Sequence, residues 1–430
     1  MTFPSPRRLL VPLSLSALIA GFGPLACSDD GGGDDEVGED TDIGGGEAED
    51  GTEDAEETSE TETETGGPDR DELIAELEAL GPHEVGYREL EFTYTGADGS
   101  ERIIPTRVWY PAEAGSGADP ATYAVAGIVE IPTEVALDAP PVAAGSFPTV
   151  VYSHGSGGEA LLAYPFAERF ASHGWIVYSA NHVGNTALDA LGGTSQSFIE
   201  MMVHRPSDVS AMLDEADGGF GGDPIGAAAD LDNVFVFGHS FGGYTTFALG
   251  GVAVDYDNLL SACSPSDCAF LEEPGVADAV AGLADARVDA ISPQAPALYS
   301  SFDTPTYGTL EVPTLLQSGK LDLTTPDGTE AQPAWDALAN PDDVWVDMPF
   351  GAHYSFITIC HDLDPELVAL FQPNNEADGC GDEFTPTEEA VPVLGTYLMA
   401  YARAHVLGDT DFTLIFDGEP LHPEFDVSMH

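Results

Sequence analysis

A serine lies at the centre of the segment Gly-His-Ser-Phe-Gly-Gly at positions 238–243. The apolar run 233–238 comes directly before it and an apolar stretch with helical character follows, which predicts a tight turn between a strand and a helix. Such a turn needs small flanking residues and exposes its central side chain at the carboxyl end of the sheet, beside a helix N-terminus. Ser240 is therefore the candidate nucleophile rather than part of a simple glycine-rich turn. His239 is expected to be structural, because it would point away from the serine.

A serine hydroxyl becomes a good nucleophile only when a histidine removes its proton. The histidines that follow Ser240 in the chain are His353, His361, His405, His422 and His430. His353 lies just after the last predicted strand, in a loop that can bring an imidazole back over the turn. His361 is the reserve candidate, because it lies near this loop but outside its start. The other three belong to the closing helix and the C-terminal tail.

The histidine in turn needs a carboxylate that fixes its tautomer, and the expected chain order is serine, acid, histidine. Asp322 follows the apolar run that ends at Gln317 and precedes His353, so it is the candidate acid. Acidic residues are abundant in this chain, and most of them are expected to be solvated surface groups. The alternative acids in the same part of the sequence are Asp303, Asp327 and Asp343.

A second glycine-rich segment, Ser-His-Gly-Ser-Gly-Gly at 153–158, follows an earlier apolar run. Glycines allow backbone NH groups to approach a ligand closely. A negatively charged tetrahedral intermediate needs such preorganised donors, and the predicted pair is the NH of Ser156 and the NH of Phe241. The alternative is that this segment is a turn with no catalytic task.

Short apolar runs at regular intervals indicate the elements that must position these residues. Each run precedes a segment that can form a helix, as strands buried on both faces by crossover helices do. The runs cover residues 148–153, 175–180, 233–238, 312–317 and 344–348, and a closing helix is predicted at 387–405. The alternating segments 88–94 and 103–110 predict an antiparallel hairpin around residues 96–99. The fold class is therefore α/β, a doubly wound and mostly parallel sheet with an N-terminal hairpin, and the longer connections 115–147 and 261–295 are expected to border the site.

Taken together, these segments resemble the platelet-activating-factor acetylhydrolase and bacterial dienelactone-hydrolase-like group of the α/β-hydrolase superfamily. The resemblance covers about residues 85–406 and includes Arg-Pro-Ser-Asp at 205–208 and Gly-Ala-His-Tyr-Ser-Phe at 351–356. It implies an α/β-hydrolase fold and a calcium-independent esterase for short or oxidised acyl chains; related exported members act on polyesters as cutinases do. Dienelactone hydrolases proper have a cysteine in place of Ser240, and a bulkier residue than Ser156 is usual, so dienelactone is not the expected substrate. Arg205 and Asp208 are expected to form a structural ion pair.

The chain carries a strong excess of negative charge, with 76 acidic and 11 basic residues among 430 and a net charge of -65. Residues 28–66 contain 18 acids, no lysine, arginine or aromatic residue, and predict a disordered tether. Residues 67–430 still have a net charge of -49, which excludes nucleic acid and anionic membrane surfaces as partners. The single lysine, Lys320, suggests adaptation to salty water, with a simple solubilising surface as the alternative.

The N-terminus has the layout of an export signal: Arg7 and Arg8, an apolar run from 9 to 20, and small residues before Cys27. The run is too short to span a bilayer stably. Pro-Leu-Ala-Cys at 24–27 resembles the lipobox of bacterial lipoproteins, which implies lipidation of Cys27, with ordinary secretion as the alternative. The chain is therefore predicted to be exported, as a cell-envelope lipoprotein or a secreted protein, and to contact a membrane only through this anchor.

Four further cysteines in an exported chain favour disulfides. Their spacing predicts the pairs Cys263–Cys268 and Cys360–Cys380, although four cysteines allow three pairings. No metal site is predicted, because Cys-x-x-Cys is absent and the acidic loop around His361 is expected to be solvated rather than coordinating.

The sequence thus predicts a signal peptide at 1–26, a tether at 27–68 and one catalytic domain at 69–430. The predicted activity is cofactor-free hydrolysis of short-chain or phospholipid-type acyl esters through an acyl-enzyme on Ser240, by a monomer. A cutinase-like enzyme acting on a polymeric ester is the first alternative, and a catalytically silent binding module of the same fold is the second. Haloalkane dehalogenation is disfavoured because it needs an aspartate in place of Ser240.

Overall fold

The computed structural model describes residues 67–143, 145–363, 368 and 378–430. Its described strands form a single sheet in the order β11-β10-β9-β8-β7-β5-β6-β2-β1-β4-β3. The strands are β1 (Glu84–Thr95), β2 (Glu101–Ala112), β3 (Pro120–Val125), β4 (Val129–Leu137), β5 (Phe147–Ser153), β6 (Ile176–Ala180), β7 (Ala229–His239), β8 (Val288–Gln294), β9 (Leu315–Gly319), β10 (Val344–Met348) and β11 (Asp426–Met429).

The strands from β6 through β5, β7, β8 and β9 to β10 all run parallel, while β2, β1, β3 and β11 add antiparallel pairings at the two sides. The one parallel pairing outside this central set joins β1 to β4. Because parallel strands need crossover connections, helices must cover both faces of the centre. The predicted mostly parallel α/β sheet with an N-terminal hairpin is confirmed.

Helices cover the two faces of the sheet. They are α1 (Arg70–Glu78), α2 (Tyr164–Ser172), α3 (Ala187–Gly192), α4 (Phe198–Asp217), α5 (Phe241–Gly250), α6 (Tyr256–Ala262), α7 (Pro265–Leu271), α8 (Val276–Ala281), α9 (Ala331–Ala337), α10 (Ile359–Asp362) and α11 (Thr387–His405). The short 3-10 turns are Ala160–Ala163, Phe220–Gly222, Gly226–Ala228, Tyr299–Ser301, Thr304–Thr309, His353–Phe356 and Thr410–Ile415.

Strand β7 shows how the two faces are filled. Phe235 and Phe237 pack with α1, α2 and α11 on one face, whereas Val234 and Val236 pack with α4, α5 and α9 on the other. Side chains alternate along a strand, so a strand buried on both faces must be apolar at successive positions. This double burial fixes β7 at the centre of the sheet and with it the turn that follows.

The segments 115–147 and 261–295, predicted as longer connections, contain strands and helices of their own. Strands β3 and β4 form an antiparallel hairpin at the edge of the sheet, where β3 alternates between exposed and buried residues. The second connection contains α7, α8 and the central strand β8. Strand β8 escaped detection because its sequence VDAISPQ is not a continuous apolar run and contains Pro293, which is rare inside a central strand.

The predicted signal peptide, Cys27 and most of the predicted tether lie outside the described residues and stay predictions. No helix in the described part of the chain is long and apolar enough to cross a membrane.

Candidate active site

Strand β7 ends at His239 and helix α5 begins at Phe241, so Ser240 alone makes the turn between them. Its backbone angles are φ 58° and ψ -118°, a conformation that costs energy for any residue with a side chain. A Cβ at position 238 would collide with the carbonyl of Gly242, and one at position 242 with the carbonyl of Ser153. The glycines therefore allow strand, turn and helix to pack closely, and the turn places Ser240 at the carboxyl end of β7.

His353 and Asp322 form a buried hydrogen-bonded pair. His353 opens the 3-10 turn after β10, and its Nδ1 lies 2.9 Å from Oδ2 of Asp322, which is in the loop after β9. The other carboxylate oxygen of Asp322 accepts from the NH groups of Thr324 and Thr325 at 2.8 and 2.6 Å. A carboxylate can only accept, so Nδ1 carries the proton and Nε2 is the basic nitrogen.

The pKa of Asp322 reflects two opposing effects. Burial raises this pKa, but the charge and hydrogen bond of His353 together with the donors of Thr325 outweigh burial and hold the pKa below its ordinary value. The acid is therefore ionised at neutral pH and can orient an imidazole ring and stabilise its protonated form.

Hydrogen bonds connect the serine turn to the histidine segment directly and to the acid segment through the residues that follow β8. The NH of Ser240 donates to the carbonyl of Gln294 at 2.8 Å, and the hydroxyl of Thr325 donates to the next carbonyl, that of Ala295, at 3.1 Å. The ring of His239 bonds through Nε2 to the carbonyl of His353 at 2.7 Å. Burial, followed by the nearby charge of His353, lowers the pKa of His239 to about 3. His239 is thus a neutral donor that supports the candidate base, the structural role expected for it.

The segment 153–158 packs directly against the serine turn. A Cβ on Gly155 would lie 3.1 Å from the Cβ of Ser240, so only glycine allows this approach without displacement. In the described part of the chain, the NH of Ser156 makes no hydrogen bond. Phe241 is the first residue of α5, so the NH of Phe241 has no acceptor within the helix. Both predicted donors therefore have no hydrogen-bond partner among the described residues, and their role as oxyanion donors stays a prediction.

No protein-family model matches the sequence, and no curated protein is significantly similar to it. A ferulic acid esterase from Streptomyces cinnamoneus is among the solved structures that match, with a TM-score of 0.56 and 20% sequence identity over 80% of this chain and 96% of that one. At this identity the likeness establishes the architecture alone. The chain has the α/β-hydrolase fold. The narrower resemblance to the platelet-activating-factor acetylhydrolase group stays a prediction.

Within this α/β-hydrolase fold the alternative acids have other surroundings. Asp327 accepts from Lys320 at 2.8 Å, Asp343 accepts from the NH groups of Thr314 and Asn340, and Asp303 is exposed at the start of a 3-10 turn. The reserve histidine, His361, lies on α10, whereas the bond to Asp322 comes from His353.

The hydrolase fold also contains a second serine, histidine and aspartate in hydrogen-bonded order. The Oγ of Ser153 lies 2.9 Å from Nε2 of His182, whose Nδ1 lies 3.0 Å from Oδ2 of Asp208. All three residues are wholly buried beneath the segment 153–158. Sequence analysis missed this constellation, because polar residues at the ends of β5 and β6 carry no signal of their partners.

The predicted ion pair between Arg205 and Asp208 is wrong. Asp208 pairs instead with Arg102 of β2, at 2.8 Å from its Nε. Burial raises the pKa of Asp208, but Arg102 and His182 outweigh this and lower it to about 2. The sequence separation of 106 residues explains why the true partner gave no local signal.

Asp378 is a further residue that the sequence did not single out. Its Oδ2 accepts from the NH groups of Leu323 and Thr324, beside the candidate acid, and its carbonyl accepts from the NH of Tyr354, beside the candidate base. Asp378 precedes Cys380 by two residues. It therefore links the acid loop to the histidine segment.

Two disulfides are present, Cys263–Cys268 and Cys360–Cys380, in the pairing that the spacing predicts. Among the described residues, no group of three or more His, Cys, Asp or Glu side chains could hold a metal ion. Asp364, part of the acidic loop weighed in the sequence, lies outside those residues.

Proposed function

We propose that this protein is a carboxylic ester hydrolase that uses Ser240 as nucleophile, His353 as general base and acid, and Asp322 as the orienting carboxylate. The observation that carries the proposal is the 2.9 Å bond between His353 and Asp322, together with the 2.7 Å bond that joins the His353 carbonyl to His239, the residue before the serine of a strained strand-to-helix turn. A similar fold supports many functions, so the proposal depends on these groups and not on architecture.

In the proposed reaction, the Oγ of Ser240 attacks the ester carbonyl while Nε2 of His353 removes the hydroxyl proton. Negative charge develops on the carbonyl oxygen, where the NH groups of Ser156 and Phe241 receive it. Collapse of this intermediate breaks the ester bond, and His353 gives the proton to the departing alcohol. Water, deprotonated by His353, then attacks the acyl-enzyme and releases the acid, and the proton returns to Ser240.

The surroundings of the site favour uncharged, apolar esters. Large apolar side chains are exposed near the site residues in sequence or, for Phe198, in contact with Phe241: Leu188, Leu191, Phe198, Leu321, Leu323 and Phe350. Phe198 is 52% exposed and its ring lies 5.4 Å from that of Phe241. The net charge of -65 repels anionic substrates, so short-chain acyl esters and zwitterionic phospholipids are the proposed substrates.

The same exposed side chains favour a second candidate, a cutinase-like hydrolase that acts on a polyester surface. Leu191 is 59% and Leu323 is 68% exposed, and an apolar polymer could cover both. The ferulic acid esterase similarity adds a feruloyl ester as a third substrate worth measuring.

We further propose that the protein is exported through residues 1–26, lipidated on Cys27 or secreted, and monomeric without a cofactor. The two disulfides support an oxidising compartment, since such bonds are rare in the cytosol.

Hydrolysis of para-nitrophenyl esters of increasing chain length, a phosphatidylcholine, a methyl feruloyl ester and a polyester film would test the proposal. We expect turnover of at least one ester by the wild type and none above background by Ser240→Ala. A chain-length optimum separates the small-ester and phospholipid classes, and soluble products from the film identify the polyester class. A folded wild-type protein that hydrolyses none of these esters would contradict the proposal and favour a silent binding module.

A further inference from the structure

Arg205 of α4 is wholly buried, yet its guanidinium reaches only neutral acceptors among the described residues. Nε donates to the Thr245 hydroxyl at 3.2 Å, Nη1 to Oδ1 of Asn185 at 2.6 Å, and Nη2 to Oγ of Ser153 at 3.2 Å and to the carbonyl of His154. A buried charge is costly without such compensation. The pKa of Arg205 is lowered by burial to about 9, so the group is still cationic at neutral pH.

The hydrogen bonds of Arg205 to His154 and Asn185 connect it to the segment that contains the NH of Ser156. The carbonyl of His154 lies two residues before Ser156, and the side chain of Asn185 donates from Nδ2 to Oγ of Ser156 at 3.1 Å. The carbonyl of Asn185 also accepts from the NH of Gly157 at 3.0 Å. Arg205 therefore holds the segment directly at 154 and through Asn185 at 156 and 157.

A further contact of Arg205, with an aromatic ring, connects it to the residue that carries the second proposed donor. The guanidinium carbon of Arg205 lies 4.7 Å from the centre of the Phe241 ring, in a cation-π arrangement. Phe241 is the residue whose NH starts α5 beside Ser240. One planar side chain thus lies between the two backbone segments that supply the donors.

We propose that Arg205 is a positioning residue that holds the NH groups of Ser156 and Phe241 in register and places a fixed positive charge behind them. This inference rests on the proposed function. An arginine suits this position because its rigid fork bonds several acceptors in one plane while its face packs on an aromatic ring, which a lysine cannot do. Donors that are already oriented need no reorganisation when the oxyanion forms.

The test compares Arg205→Met with Arg169→Met. Arg169 of α2 is a matched control, since it is also buried and also bonds neutral acceptors, the Pro392 carbonyl at 2.8 Å and the Thr396 hydroxyl at 3.0 Å, away from the serine turn. Both variants are expected to lower Tm. Three quantities are measured in each: kcat, KM, and the inhibition constant of phenylboronic acid, which forms a tetrahedral anionic adduct on a reactive serine.

We expect Arg205→Met to lower kcat about 100-fold, to weaken boronate inhibition by a similar factor and to leave KM within about threefold, as loss of an oxyanion donor does. Arg169→Met should change none of these beyond about threefold. Losses in Arg205→Met no larger than in Arg169→Met, or a rise in KM at constant kcat, would overturn the inference.

If Arg205→Met does not fold, Asn185→Ala provides the second measurement. Asn185 is half-buried, and its truncation removes the links to Ser156 and Arg205; we expect about a tenfold loss in kcat and in boronate affinity. Unchanged values would overturn the inference. A wild-type protein that hydrolyses no ester would instead contradict the proposed function, so the two failures are distinguishable.

Discussion

Two sets of serine, histidine and aspartate lie at the carboxyl ends of neighbouring strands, and in each of them a histidine is hydrogen-bonded to an aspartate. In the buried one, Ser153 contacts His182, which contacts Asp208 at 3.0 Å. In the candidate active site, His353 contacts Asp322 at 2.9 Å, and its carbonyl accepts from the ring of His239, the residue before Ser240. Residue types and the bond between histidine and aspartate therefore do not distinguish the two sets.

Backbone position and access do distinguish them. Ser153 is the last residue of β5, is wholly buried, and its hydroxyl accepts from Arg205. Ser240 lies in a strained turn, is 8% exposed, and has the NH of Phe241 next to it. A nucleophile needs an approach path and donors for the charge it creates, and only the turn provides both.

Burial also weakens the ability of His182 to accept a proton. Burial and the charge of Arg205 lower the pKa of His182 to about 4, although Asp208 acts in the opposite direction. A general base works best with a pKa near the operating pH, which is far above that value. The buried constellation is therefore a support for the segment 153–158, and the comparison predicts opposite outcomes for equivalent substitutions.

The largest expected effect is that of His353→Ala, compared with His182→Ala. The first should lower kcat by about five orders of magnitude, because it removes the base. The second should lower Tm, because Ser153 and Asp208 each lose one buried hydrogen bond, but preserve activity per folded molecule within about tenfold. Steady-state kinetics and thermal unfolding check both. His361→Ala proving more damaging than His353→Ala would show that the base is misassigned.

Asp322→Asn is expected to lower kcat about 10⁴-fold, since an amide can no longer select the Nδ1-protonated tautomer. Asp208→Asn should act mainly on stability, because it leaves Arg102 buried without its ion-pair partner. Steady-state kinetics on samples with matched concentrations of folded protein separate the effect on activity from the effect on stability. Equal losses of activity per folded molecule in both variants would contradict the assigned roles.

Removal of the two disulfides is expected to affect Tm and kcat differently, but by less than the substitutions above. Cys360–Cys380 closes a loop of 20 residues, which is worth about 3 kcal/mol, and lies beside Asp378, which joins the acid and histidine segments. Replacing both of its cysteines by serine should lower Tm and reduce kcat about tenfold or more, because small displacements at such a site are costly. The same change at Cys263 and Cys268 is the control. Identical Tm and kcat in the two double variants would refute this link.

The smallest expected effect is on the acid side of the stability profile. Asp208 has a pKa of about 2 in the folded protein against about 3.9 in an unfolded chain, so the unfolded state takes up its proton first as pH falls. The resulting stabilisation, about 2 kcal/mol, is complete above pH 4 and disappears towards pH 2. Urea unfolding at pH 4, 3 and 2 should show a shallower loss in Asp208→Asn than in the wild type. Parallel profiles would contradict the lowered pKa.

Local sequence signals account for what could be predicted. Strand β10 and helix α11 were predicted at their observed bounds, because a short run of mostly apolar residues and a long apolar helix need no partner to be recognised. The glycine-flanked turn at Ser240 was also predicted from residues that are adjacent in sequence. Strand β8 was missed because polar residues and Pro293 interrupt it.

Contacts distant in sequence could not be predicted. Arg102 meets Asp208 across 106 residues, and Asp378 meets Thr324 across 54. No periodicity or motif encodes such pairs, so the supports of the site appear only when the chain is folded. The candidate side chains themselves were identifiable because their chemistry restricts residue type and chain order.

The most direct test of the account is labelling with a fluorophosphonate, followed by peptide mapping of the wild type, Ser240→Ala and Ser153→Ala. A base-activated serine reacts quickly with this reagent, whereas an ordinary hydroxyl does not. The account predicts one adduct, on the peptide that contains Ser240, in the wild type and in Ser153→Ala, and none in Ser240→Ala. An adduct on the peptide that contains Ser153, or labelling that persists in Ser240→Ala, would contradict it.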